Sequence, residues 1–309
     1  MHKTVFVRKG SQGLTLTLTS PKNVPFGKYG RLLLSVLTTH AVISKNVGGS
    51  VLIEYDSMAD LLKELQLPKQ RGKDIKEQIE CFSNAAFAFE QRIEELKSAY
   101  LFKDLYEDGK YPKNDVTVKT VTTGNIRFTT GIQYKEITSD TKDTRIGRFK
   151  IILSDEFTAF CQKHAVPIDY ETYKEINSPI GKDLYAWLVY RNNAKFESVF
   201  IPRHKLVDQF IPVDADKDPN LVNVNYARII ELLKEIKTKY YKEVQFEIDK
   251  AGAGITLFKS PTPIWELALF LPTPATVPGD KDIMKKIRAA ISQSYVAYVD
   301  SVLKKIVQT

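Results

Sequence analysis

One segment constrains the fold of this chain more than any other: Ser178-Pro-Ile-Gly-Lys-Asp-Leu-Tyr-Ala-Trp-Leu-Val-Tyr-Arg191. Ser178 is a good helix cap, and Pro179 falls at the first helical position, where its missing N–H costs nothing. Leu184, Trp187, Leu188 and Arg191 then share one helical face. Downstream, the pattern predicts a short strand over 198–201, a helix over 203–210, an acidic loop over 214–222 and a long amphipathic helix over 225–241. Two strands, 244–248 and 255–258, flank Ala251-Gly-Ala-Gly254. Helix, strand, helix, helix and glycine-turned hairpin is the succession of a winged helix, a fold whose third helix can enter the DNA major groove.

The preceding half follows a similar order. Val5, Val7, Leu14, Leu16 and Leu18 alternate around Gly10 and Gly13, which reads as a hairpin. Pro25 opens a helix with Tyr29, Leu32, Leu33, Val36 and Leu37 at helical spacing, and Gly48-Gly49 close that unit before a short strand over 51–53. Ser57 is expected to cap a helix over 58–67 that Pro68 stops. A third helix is expected over 73–96, striped by Ile75, Ile79, Phe82, Ala86 and Phe89. Strands follow at 116–121 and 126–134 with Gly124-Asn125 between them, and another at 148–153. A linking helix over 155–164 and a short one over 170–176, entered through Pro167-Ile-Asp169, join the halves. Five prolines punctuate 261–278, and a final helix is expected over 282–307, where residues 281–309 carry a local charge of +4. The expected class is therefore α+β: tandem winged-helix domains over 1–154 and 155–260, then a Pro-rich strap and basic C-terminal helix over 261–309.

Composition narrows the function. The chain has 309 residues, a formal charge of +8 and a pI near 9.1, which favours polyanionic partners. Two distant cysteines, Cys81 and Cys161, exclude a disulfide framework and a cysteine zinc site. No apolar run approaches the ~20 residues of a membrane span, so a protein that is cytoplasmic, or nucleoid-associated if bacterial, is expected. The four histidines, at 2, 40, 164 and 204, have no ligand spacing, and neither a phosphate-binding loop nor a nucleophile elbow is present. Gly252-Ala-Gly254 reads as a turn, and Asp155-Glu156 as the acids a helix start favours. No catalytic residue, metal or cofactor is expected.

Candidate DNA contacts cluster on the long helix and its surroundings. Over 223–242 the local charge is +3. Asn223, Asn225 and Arg228 stand at its start, where Asn suits adenine and Arg suits guanine through paired hydrogen bonds. Lys234 and Lys242 follow on the polar face; Arg203, Lys205 and Lys250 flank it in the preceding helix and the hairpin turn. In the first half, Lys69, Arg71, Lys73 and Lys76 gather at a helix start, but Glu77 and Glu80 follow on the exposed face. Either only that helix start touches DNA, or the first unit serves a partner protein.

Three segments resemble the RepA-type plasmid replication initiators. Pro25-Phe-Gly-Lys-Tyr-Gly-Arg-Leu-Leu-Leu34, continuing to Thr39-His-Ala41, is similar to the family's opening helix. Residues 57–67 with Arg71-Gly72 and Gln78 are similar to its next two helices. Ser178-Pro179 and Asp183-Leu-Tyr-Ala-Trp-Leu-Val-Tyr-Arg191, with Leu206 and Phe210, resemble its second-domain signature. The likeness runs over 24–259. It implies two winged helices that bind direct repeats (iterons) at a plasmid origin, open nearby duplex, draw in the host replicative helicase and, as dimers, repress their own promoter. The reading helices would map onto 69–76 and 223–242. The chain departs from the family at Pro68-Lys-Gln70 and at Glu77 and Glu80. The alternative is a winged-helix transcriptional regulator without an initiation role; a protein-interaction module on the same fold is a third reading.

Overall fold

The computed structural model describes residues 4–9, 14–44, 48–98, 115–138, 144–192, 197–211, 219–261 and 263. The expected strap and C-terminal helix lie outside the described residues. Among the described residues the fold is mixed, with helices and three antiparallel sheets. Its first half contains β1 (Val5–Lys9), β2 (Leu14–Thr19), α1 (Gly27–Ile43), β3 (Val51–Tyr55), α2 (Met58–Glu64), a 3-10 turn (Lys69–Arg71), α3 (Gly72–Asn84), β4 (Ala86–Ser98), β5 (Asp115–Arg127), β6 (Thr129–Thr138) and β7 (Thr144–Leu153). Then come α4 (Asp155–His164), α5 (Tyr170–Glu175), α6 (Pro179–Asn192), β8 (Ser198–Pro202), α7 (Arg203–Phe210), α8 (Pro219–Glu235), a π turn (Ile236–Tyr240), β9 (Gln245–Ile248) and β10 (Gly254–Phe258).

Two sheets share one topology. β3-β7-β6 takes its first strand from between α1 and α2 and its other two from after α3, and β8-β10-β9 takes its first from between α6 and α7 and its other two from after α8; in each, the last strand sits between the other two. A third sheet, β1-β2-β4-β5, was not expected. Its origin corrects the sequence reading: the helix expected to reach residue 96 ends at Asn84, and Ala86 begins a strand. Ala86, Phe87, Ala88 and Phe89 satisfy a period of two as well as a helical stripe, and β2 and β5 supply the deciding hydrogen bonds. Gly124 is likewise no turn. It sits inside β5 opposite Phe89, and a Cβ there would stand 2.4 Å from the Phe89 ring. A glycine in mid-strand here marks close approach of an aromatic ring. The hairpin of the first unit is instead β6–β7.

Side-chain caps form at some helix starts and not at others. Ser178 Oγ accepts from the Gly181 N–H at 3.1 Å, as expected of a cap. Ser57 behaves otherwise: its hydroxyl donates to Asp60 Oδ2 at 2.8 Å, and no side-chain cap forms. α2 ends before Pro68, because Gln66 adopts φ 52° while Gln66 N–H bonds Lys63 O and Leu67 N–H bonds Leu62 O, a Schellman ending. α8 begins at Pro219, earlier than expected.

One apolar core joins both halves. Leu33, Leu37, Ile75 and Phe82 from the first half and Leu184, Leu188, Ile229, Leu233 and Leu257 from the second are buried in it. Both cysteines are buried free thiols, and burial pushes the Cys161 thiol up to about 11. Gln78 binds α3 to the start of α1 by accepting from the Phe26 N–H at 2.9 Å.

Candidate nucleic-acid interface

Three elements meet at one end of the second unit. The Arg203 N–H at the start of α7 donates to Ala253 O at 2.8 Å, and the Arg203 guanidinium donates to Asn223 Oδ1 on α8 at 2.9 Å. The Tyr226 hydroxyl, its pKa raised by burial, donates to Gly254 O at 2.8 Å. The β9–β10 turn is therefore pinned to both helices. Gly252 takes φ +71° at its tip, and the Asp249 carboxylate accepts from the Ala253 N–H at 3.1 Å. Gly254 is required for a different reason: a Cβ would lie 2.2 Å from Ile201 O. Arg203, Asn223 and Lys250 all face solvent at this corner.

α8 presents two contrasting faces. Tyr226, Ile229, Ile230 and Leu233 are buried, whereas Leu221, Asn223, Val224, Ala227, Arg228, Glu231 and Lys234 are exposed. The exposed half running from Leu221 to Arg228 carries no acid; Glu231 and Glu235 come later. Asn225 is half-buried, on the flank toward the core. Lys205 is exposed on α7. Lys242 is exposed beyond the π turn, about 20 Å along the axis from Arg228 at 1.5 Å per residue. The structure thus gathers Arg203, Asn223, Arg228 and Lys250 around the first half of α8 and leaves Lys242 at its far end. Leu221 and Val224, exposed among them, were missed in the sequence reading. Their position against the buried face of α8 was the available signal.

The first unit is less uniform. Lys69 and Lys73 are exposed. Arg71 pairs with Asp74 at 3.3 Å and its guanidinium lies 5.7 Å from the Tyr29 ring centre; the Lys76 ammonium lies 5.6 Å from that of Tyr134. Two of the four cations at this helix start are therefore drawn onto the protein's own surface. Glu77 is exposed and Glu80 partly so.

A charged clamp holds the halves together beneath these surfaces. Asp183 on α6, 14 % exposed, accepts from Arg31 Nε and Nη2 at 2.7 and 2.8 Å and from Arg8 Nη2 at 2.7 Å. Burial would raise its pKa, but Arg31 and Arg8 outweigh that and hold the carboxyl below its ordinary value. The neighbouring Lys182 is 0 % exposed. Its ammonium donates to Tyr173 O and to Lys174 O and lies 4.5 Å from the Tyr173 ring centre. Burial, with Lys28 and Arg31 adding to it, lowers its pKa to about 7. A cleft of about 600 Å³ opens beside the clamp, lined by Phe6, Leu18, Phe26, Leu34, Arg31 and Asp183 among others.

Among the described residues no helix is long and apolar enough to cross a membrane, and no group of three His, Cys, Asp or Glu side chains is placed to hold a metal. No family model matches this sequence, and no curated protein matches it significantly. Among solved structures, the selenomethionine derivative of domains 2 and 3 of RctB is similar with a TM-score of 0.49 and 11 % identity, over 83 % of this chain and 91 % of that one. A second crystal structure of RctB domains 2–3 is similar with a TM-score of 0.47 and 13 % identity, over 84 % and 92 %.

Proposed function

We propose that this chain is a non-catalytic, sequence-reading DNA-binding protein built from two tandem winged helices, and that it initiates plasmid replication by binding direct repeats at the origin. The observation that carries DNA reading is the corner where Arg203, Asn223 and Lys250 meet the exposed, acid-free first half of α8. A helix start with amide and guanidinium groups, flanked by a cationic turn, offers base edges and phosphates the partners each needs. Arg228 is assigned to a base edge; Arg203, Lys205 and Lys250 to phosphates. In the first unit Lys69 and Lys73 supply backbone contacts, because Glu77 on the exposed face disfavours deep entry into a groove.

The initiation role is supported by the RepA-type likeness of α1 and α6. Opening of neighbouring duplex, recruitment of the host helicase and repression of its own promoter as a dimer belong to this same reading. Bound copies on adjacent repeats would transmit bending strain to a weaker duplex.

The test is fluorescence anisotropy on the DNA flanking the gene against scrambled duplex of equal length, across a salt series. Tighter binding to the flanking DNA that persists at high salt is expected. Equal, steeply salt-dependent binding to both would overturn sequence reading. The initiation role is then tested by whether the gene with its flanking DNA sustains a circle lacking another origin; specific binding without maintenance would leave a transcriptional regulator.

A further inference from the structure

Val224 is 61 % exposed, the most of any large apolar side chain among the described residues, and Leu221 one turn before it is 40 % exposed. At 3.6 residues per turn Leu221, Val224 and Arg228 fall within about 60° of one another, with Val224 near the middle of the exposed arc. Among the described residues neither side chain belongs to the core: the buried face of α8 is the opposite one, formed by Tyr226, Ile229 and Leu233. A β-branched residue on an open helix face also offers no gain in helix propensity. What surrounds the pair is polar and cationic, with Asn223 and Arg228 on the helix and Arg203 and Lys250 beside it. An apolar centre with a cationic rim complements a major-groove wall in which thymine methyl groups project between flanking phosphates.

We infer that Val224 and Leu221 are specificity residues that read thymine C5-methyl groups in the major groove, with Asn223 and Arg228 reading adjacent base edges. This rests on the DNA-reading function proposed above. The site is accordingly expected to contain thymine at one or two positions facing the first half of α8.

The experiment uses the full chain and duplexes it enriches from a randomised library. Each thymine of the enriched site is replaced in turn by deoxyuridine, which removes only the methyl. At one or two positions the loss should be about fourfold, the worth of one buried methyl. Val224→Ser should bind the thymine site several-fold more weakly and be indifferent to uracil at the position Val224 reads; Leu221→Ser should show the same at a neighbouring position. Circular dichroism confirms that these surface variants fold. Uracil tolerated at every position by the unaltered protein, or full uracil sensitivity retained by both variants, would overturn the inference while leaving DNA reading intact. Failure to enrich any sequence would instead overturn the DNA-reading function itself.

Discussion

The Arg203 guanidinium donates to Asn223 Oδ1 across 2.9 Å, tying the start of α7 to the exposed face of α8. One lone-pair direction of Asn223 is therefore already used before any DNA arrives, and the amide is held in one orientation. Arg203→Ala removes both this support and a positive charge, whereas Asn223→Ala removes only the amide. The two substitutions are expected to be non-additive for specific DNA, with a coupling of about 0.5–2 kcal/mol. Anisotropy on the two single variants and the double variant measures it; strict additivity would remove the positioning role.

On the base-edge contact proposed above, Arg228→Ala should cost about 1–3 kcal/mol on specific sites and little on random duplex. Equal loss on both would make Arg228 a phosphate contact.

Position along α8 separates two lysines. Lys250→Ala, at the β9–β10 turn, should reduce the salt slope by about one unit. Lys242→Ala, at the far end of the helix, should leave the slope unchanged. The reverse result would place the DNA along the whole of α8 rather than at its first half.

Asp183→Asn leaves Arg8 and Arg31 without their shared carboxylate and should destabilise the chain by about 3 kcal/mol, measured by urea unfolding at pH 7. The folded-state pKa of Asp183 lies below its unfolded value. Its contribution is thus complete above the unfolded value near 4 and is lost as pH falls through the folded one. The variant should show a shallower acid loss of stability than the unaltered chain.

Lys182 has the opposite pH signature. Its folded pKa of about 7 lies below the unfolded value, so the unfolded chain binds the extra proton between about pH 7 and 10. Measured against Lys182→Met, stability should therefore rise by about 1–2 kcal/mol from pH 7.5 to 9.5, less than the full linkage slope because two carbonyls and a ring support the ammonium. The difference between the two chains is the quantity to read, because the raised Cys161 thiol acts in the opposite sense, its unfolded counterpart ionising at about 8.5. The window closes at about pH 10, where the unfolded lysine loses its own proton. A flat difference between the two chains would show that Lys182 is charged in the fold.

Local chemistry settled several helices and the outward face of the long one. Ser178 with Pro179 starts α6, Arg203–Phe210 and Asp155–His164 follow their apolar spacing, and the buried stripe Ile229, Leu233, Ile236 on the long helix reveals which face is left outward. These signals act over three or four residues, which is why a single chain displays them. The strand β4 was not legible, because Phe87 and Phe89 suit either period; its partners are β2, about 70 residues earlier, and β5, some 35 residues later. Gly124 looked like a turn because glycine serves both turns and close contacts, and only the Phe89 ring across the sheet distinguishes them. The Asp183 clamp joins residues 175 and 152 positions apart, and the Arg203–Asn223 bond crosses from one helix to another. Periodicity and capping thus determined which residues face outward. Which outward residues stand together was decided by tertiary packing, since contacts between distant segments leave no periodic trace in the chain.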